Sequence, residues 1–196
     1  MPDPALHNEN FIHIRIIVGM MLGLSISRLI SGLARFIQHP GHEKLSPIHL
    51  VWSLFLILSI IHFWWFEFSL SYLKSWRFEI YFFVLFYAIL FFLISSLLFP
   101  DQIRDYANYD EYFKYRRGWF YGLLCLLFLI DLIDTSIKGM DFFRSLGPEY
   151  PIRQGLMATG AILAIYIPGR KYQTCFAFFC LFYELNWILR LYSVPR

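Results

Sequence analysis

Charge is scarce in this chain. Asp, Glu, Lys and Arg make up 16% of its residues, where a soluble domain carries about a quarter. That shortage excludes a surface solvated in the usual way. The common catalytic signatures are also missing: there is no Gly-rich phosphate loop, no His-Glu-x-x-His and no Gly-x-Ser-x-Gly. No nucleophile stands beside a base, and the chain reads as a non-enzyme. No basic run offers a nucleic-acid surface, because the net charge of +3 is spread over the connectors. Cysteine is limited to Cys125, Cys175 and Cys180, each inside an apolar run. Thiols so placed behave as small hydrophobes rather than as disulfide or zinc partners. Neither metal nor cofactor is expected. His62 is central to its apolar run, but His13 and His49 lie near helix ends, so no pair of axial haem ligands is assembled. Residues 1–10 are polar and lack the basic region of a secretory signal, and the first apolar run is too long for one. That run is expected to stay as a span.

What the chain has in quantity is apolar bulk: 58% of its residues are hydrophobic and 21% are aromatic. A helix needs about 20 apolar residues to cross the hydrocarbon core. Stretches 14–37, 49–72, 78–99, 118–137, 152–167 and 172–194 meet or approach that length. The pattern predicts an all-α polytopic transmembrane bundle of about six spans, forming one integral membrane domain over 1–196. The fifth stretch is short and runs straight into Pro168-Gly169-Arg170-Lys171, which predicts a tight hairpin with the sixth. If that hairpin does not span, four spans and a re-entrant pair remain. Turn chemistry lies at His39-Pro40-Gly41-His42, Pro100-Asp101 and Gly147-Pro148. Trp52, Trp76, Tyr81, Trp119, Tyr121 and Tyr192 sit near run ends, as interfacial aromatics do. Segment 101–117 is polar but rich in Tyr and reads as a helix lying on the interface.

We call face A the side holding the connectors after the first, third and fifth runs, and face B the opposite side. Lys and Arg divide eight to eight between them. Discounting Arg15 and Arg190, which lie just inside spans, leaves eight against six. The positive-inside rule then puts face A in the cytoplasm.

An ionisable side chain near the membrane midplane costs at least about 2.5–3.5 kcal/mol and marks a partner or a water path. Arg28, His62, Glu67, Asp131, Asp134 and Glu184 are such residues. At about 1.5 Å per residue, Arg28, His62 and Glu184 fall close to the centres of three different spans. Asp131, Asp134 and Glu67 lie deeper in the face-B half. The pattern predicts a polar half-channel or vestibule open toward face B, with Arg28 near its floor. Arg28 and Glu184 would pair there, either as the base of a proton or substrate path or only as a lock between helices. His62 is a candidate proton relay or a neutral donor to a carbonyl. Asp131 and Asp134 share a helix face and could hold a cation or a proton. Asp134 also has Lys138 four residues on, and Glu67 has Lys74 two turns on.

Gly19, Gly23, Ser27 and Ser31 recur every four residues, and Gly118 and Gly122 repeat the spacing. Small residues at that period let helices approach closely, within one chain or between copies. The run Phe63-Trp64-Trp65-Phe66 must cover all sides of its helix, as ordinary packing or as an aromatic gate or amine cage.

Three stretches, Gly23-Leu24-Ser25 through Leu33-Ala34-Arg35, His62-Phe63-Trp64-Trp65 and Phe99-Pro100-Asp101, resemble a group of uncharacterised six-helix bacterial inner-membrane proteins. The resemblance implies the fold and a place in the bacterial inner membrane, and no activity. Two functions follow from the residues. One is an ion or proton channel or transporter lined by Arg28, His62, Asp131, Asp134 and Glu184. The other is a non-catalytic membrane subunit, scaffold or sensor. The partners expected are the lipid bilayer and either further copies of the chain or another membrane protein, with no nucleic acid.

Overall fold

In the bilayer every backbone N–H and C=O must find its partner within the chain, which leaves a helix as the spanning form for runs such as these. The computed structural model describes residues 4–38, 47–73, 76–100, 106 and 108–192. Among them the regular structure is all helical: α1 Pro4–Gln38, α2 Pro47–Phe66 continued by a 3-10 turn Glu67–Tyr72, α3 Phe78–Leu98, α4 Tyr109–Ile137, α5 Met140–Ser145, α6 Glu149–Tyr166 and α7 Arg170–Tyr192. By length and composition, five segments are fit to cross a membrane: Phe11–Gln38, Pro47–Ser71, Phe78–Leu98, Tyr109–Ile137 and Arg170–Tyr192. The chain is a multi-pass membrane protein.

Prolines set several boundaries. The residue before a proline avoids the helical region. Phe99, before Pro100, ends α3 at φ −127°, ψ 87°, and Ile167, before Pro168, ends α6 at φ −96°, ψ 99°. Asn108 caps α4, its side chain accepting from the Glu111 N–H at 2.9 Å. With that cap, α4 runs unbroken from Tyr109. The described part of the expected interfacial segment is therefore the opening turns of α4 and not a separate helix. Its remainder at 101–105, the turn at 39–42 and Lys74 lie outside the described residues. Gly139, at φ +130°, turns the chain into α5 in a conformation that side chains disfavour.

Helix α3 packs on α1 and α4, α4 on α6, and α2 on α7, with α2 also touching α1 and α3. The chief neighbour of α6 is α4 and that of α7 is α2, although only three residues join α6 to α7. Face A gathers the end of α1 and the starts of α2 and α4: the Phe36 and His49 ring centroids lie 5.0 and 5.3 Å from that of Tyr109. Face B gathers Phe11 with Trp76 and His13 with Tyr81. Close approach of α1 to the end of α3 requires Gly32, where an added Cβ would sit 2.2 Å from the Phe99 ring.

The outside is greasy and the inside is mixed. Met20, Leu24, Ile61, Phe82, Ile133, Phe182 and Leu189 are exposed, as lipid-facing side chains should be. Glu67, Asp134, Arg153, Gln154 and Glu184 are buried.

Candidate functional site

Polar side chains from α2, α3, α4, α6 and α7 meet in the face-B half. Glu184 on α7 is the hub of one group. Its Oε1 accepts from His62 Nδ1 on α2 at 2.7 Å, and its Oε2 accepts from Arg153 Nη1 on α6 at 2.7 Å. A carboxylate only accepts, so His62 carries its proton on Nδ1, which leaves Nε2 bare in the neutral ring. The Arg153 guanidinium stacks over the Trp187 ring at 4.7 Å. Glu184 and Arg153 are 5% and 4% exposed, so this is a buried ion pair, and its geometry is that of a charge-assisted bond.

Asp131 on α4 is the hub of a second group. Tyr87 donates to its Oδ1 at 2.9 Å and Tyr150 to its Oδ2 at 2.6 Å. Gln154 Nε2 also donates to Oδ2. Thr135 supplies the Tyr150 hydroxyl at 2.6 Å. All three of these donors on Asp131 are neutral.

A third group lies behind them. Lys138 donates to Glu67 Oε1 at 2.6 Å and to Asp134, which is its neighbour one turn back. The three side chains are at most 3% exposed, and the Lys138 ammonium lies 4.5 Å from the centre of the Phe66 ring.

The first two groups share one cavity of about 50 Å³. At roughly 10–15 Å³ per water-sized occupant, it holds a small cluster. Its walls carry Ser59, His62, Asp131, Arg153, Gln154 and Glu184 among aromatic rings that include Phe55, Phe63, Phe66, Tyr87 and Trp187. Phe66 and Leu146 also line a larger hollow of about 360 Å³ bounded by Trp65, Phe68, Phe142 and Tyr192. The two residues form the wall between inner cavity and outer hollow.

The expected cluster is thus assembled in part. His62, Asp131 and Glu184 line one cavity in the half where they were sought. Asp134 turns away from it to pair with Lys138, as its spacing suggested. Glu67 meets that same lysine from across the bundle. Arg28 is the correction. It lies in reach of Tyr112, near the start of α4, and α1 makes no contact with α7. Both Glu184 oxygens are taken by His62 and Arg153, so the proposed Arg28–Glu184 pair does not exist.

The small-residue ladder divides. A Cβ on Gly19 would come 2.6 Å from the Trp64 ring, whereas Gly23, Gly118 and Gly122 have nothing within 4 Å. Gly23, Ser27 and Ser31 face outward. Only Gly19 serves a close contact inside the chain. Within the aromatic run, the Phe63 ring is tilted against Tyr87 at 4.4 Å, Trp64 lies 5.2 Å from the Arg15 guanidinium, Trp65 faces out and Phe66 walls the cavity.

Sequence reasoning placed Ser59 on the face of His62 but missed Tyr87, Tyr150, Arg153 and Gln154 as site residues. Arg153 and Gln154 had a signal: they are adjacent polar residues early in the apolar run at 152–167. The tyrosines had none, because a hydroxyl that serves a carboxylate looks like any interfacial aromatic in one dimension.

The arrangement defines a polytopic α-helical membrane protein with a charged, hydrogen-bonded cavity in one half of the bundle. Comparison with known protein families, curated proteins and solved structures returns no match.

Proposed function

We propose that this chain is a small six-span transport protein of the bacterial inner membrane, in which protons or small cations enter the cavity from face B. The observation that carries the reading is the pair of carboxylates, Asp131 and Glu184, brought by different helices to one cavity, with His62 on its wall bonded to Glu184. Hydrocarbon penalises each such group, and a fold that collects them at a cavity wall provides a place for a positively charged guest. In this reading α6 is the sixth span, forming a hairpin with α7. Its length of about 27 Å at 1.5 Å per residue is close to the hydrocarbon thickness. Ile152, Leu156 and Leu163 face outward while Arg153 and Gln154 face inward, which suits a helix with lipid on one side. The resemblance to six-helix inner-membrane proteins agrees, and the balance of basic residues places face A in the cytoplasm.

The test is proton flux in liposomes holding a pH-sensitive dye, under an imposed gradient with the membrane potential clamped. Wild-type protein is expected to carry protons, and Glu184→Gln, which keeps shape but removes charge, to lose most of the flux. Equal flux from the two proteins removes the reading.

One observation favours a second reading, a non-catalytic subunit or scaffold. Toward face A the interior is filled by rings, with Trp52, Phe120 and Tyr121 at most 1% exposed, and the buried carboxylates Glu67, Asp134 and Glu184 all lie in the other half. Recovery of a stoichiometric membrane partner from native membranes, together with no flux, would select that reading. The outward stripe of Gly23, Ser27 and Ser31 fits either a partner helix or a second copy.

A further inference from the structure

We propose that the inner cavity is a binding site for a water-sized cation bearing N–H donors, with ammonium as the ion that fits. The proposal rests on the transport reading and names its guest.

Four buried polar atoms of lining residues have no partner among the described residues: the donor Arg153 Nε, and three others, Ser59 Oγ, His62 Nε2 and Gln154 Oε1, that can accept. Their chemistry is set by their other ends. Gln154 gives its NH₂ to Asp131, so the carbonyl oxygen is what remains. His62 gives Nδ1–H to Glu184, so a lone pair is what remains. Ser59 stands three residues before His62 on the same face of α2 and adds a hydroxyl. Acceptors buried without donors are costly, and three on residues lining one small cavity suit a guest that donates several hydrogen bonds.

Charge gives the second requirement. Arg153 is balanced by Glu184 at 2.7 Å. Asp131 has only phenol and amide donors. With Asp131 ionised and the His62 ring neutral the lining carries one net negative charge, and a monovalent cation cancels it. Size gives the third, since about 50 Å³ excludes any organic solute of more than a few atoms. The aromatic walls, Phe63, Phe66 and Tyr87 among them, favour a cation over water through their ring faces. Potassium meets the size and charge but donates nothing, and hard cations want a shell of oxygens. Here one of the free acceptors is an imidazole nitrogen. Ammonium supplies four N–H donors, enough for all three acceptors.

The test is thermal unfolding of the purified protein in detergent with ammonium chloride, potassium chloride or sodium chloride at equal ionic strength. Ammonium alone should raise Tm in a saturable way. Ser59→Ala removes a hydroxyl that bonds nothing else, so the fold is retained. It should weaken the ammonium midpoint about two- to tenfold, the range of one neutral hydrogen bond. Asp131→Asn should weaken it about tenfold or more, since a charged partner is lost. An equal response to potassium, or unchanged midpoints in both variants, overturns the proposal. Proton flux in liposomes without an ammonium-specific rise in Tm keeps the transport reading and discards the guest. An ammonium-specific rise without flux keeps the site and discards transport.

Discussion

Toward face A, the same helices that build the cavity bury rings. Trp52 stands edge-on to Phe55, Phe120 and Phe176 at 5.3–5.7 Å, and Phe113 meets Phe120 at 5.3 Å. Each contact is non-directional or weakly directional, and each ring contributes by the area it covers. Toward face B, the interior holds four carboxyls, Glu67, Asp131, Asp134 and Glu184, against the two bases Arg153 and Lys138. There every group depends on a particular partner, because an unpaired charge in a medium of low dielectric is far more costly than an unfilled gap. One half is therefore held by volume and the other by pairing. The two halves should answer mutation with different arithmetic.

The largest effects test that difference. Arg153→Met leaves Glu184 buried with no cation, and should cost about 3–5 kcal/mol in unfolding free energy measured in detergent. Adding Glu184→Leu should return most of that loss, since an apolar pair of similar volume replaces the ionic one. The residue left over is the unpartnered Nδ1–H of His62. In the aromatic half, Trp52→Ala should cost a similar amount, about 3–5 kcal/mol, by leaving a cavity. Adding Phe120→Ala there should deepen the loss. A second substitution that rescues Trp52→Ala, or fails to rescue Arg153→Met, would break the contrast. Smaller is Tyr87→Phe, which removes one of three donors to Asp131 and should cost about 1–3 kcal/mol.

Much of this was legible in one dimension, and the reason is the solvent. Hydrocarbon imposes length and apolarity on a span, so α1, α2, α3 and α7 stand out as runs, and a charge inside a run is visible as an exception. His62, Asp131 and Glu184 were found in that way, as was the Asp134–Lys138 pair, whose spacing of four is local. Partner choice across the bundle was not legible. Arg28 and Glu184 matched in depth estimated from span centres, but the centre of a long helix such as α1 is not its depth in the bilayer, and contact depends on which helices are neighbours. Arg153 could have been found by asking why the run at 152–167 opens on two adjacent polar residues, Arg153 and Gln154. They stand there because that helix brings the cation, and the amide of Gln154, to carboxylates on α4 and α7. The start of α4 was placed late for a related reason. Polar residues in 109–117 suggested a separate element, whereas the Asn108 cap and the absence of any proline after it let one helix continue.

The smallest effects separate what α1 does inside the chain from what its outer face does. Gly19 and Gly23 are one turn apart and look alike in sequence. A methyl at Gly19 meets the Trp64 ring at 2.6 Å, so Gly19→Ala must push back a large side chain that also flanks Arg15. Overpacking of that kind costs about 1–3 kcal/mol. A methyl at Gly23 meets nothing within 4 Å. For a solubilised monomer, Gly23→Ala should therefore be neutral or stabilising by up to about 1 kcal/mol, the gain in helix propensity over glycine. If a second copy seats on the Gly23, Ser27, Ser31 stripe, that same substitution should instead weaken self-association, measured as the protein-to-detergent ratio at which energy transfer between labelled copies is half-maximal. A midpoint that does not move, with Gly19→Ala destabilising as expected, would assign the stripe to lipid and leave only Gly19 as a packing residue.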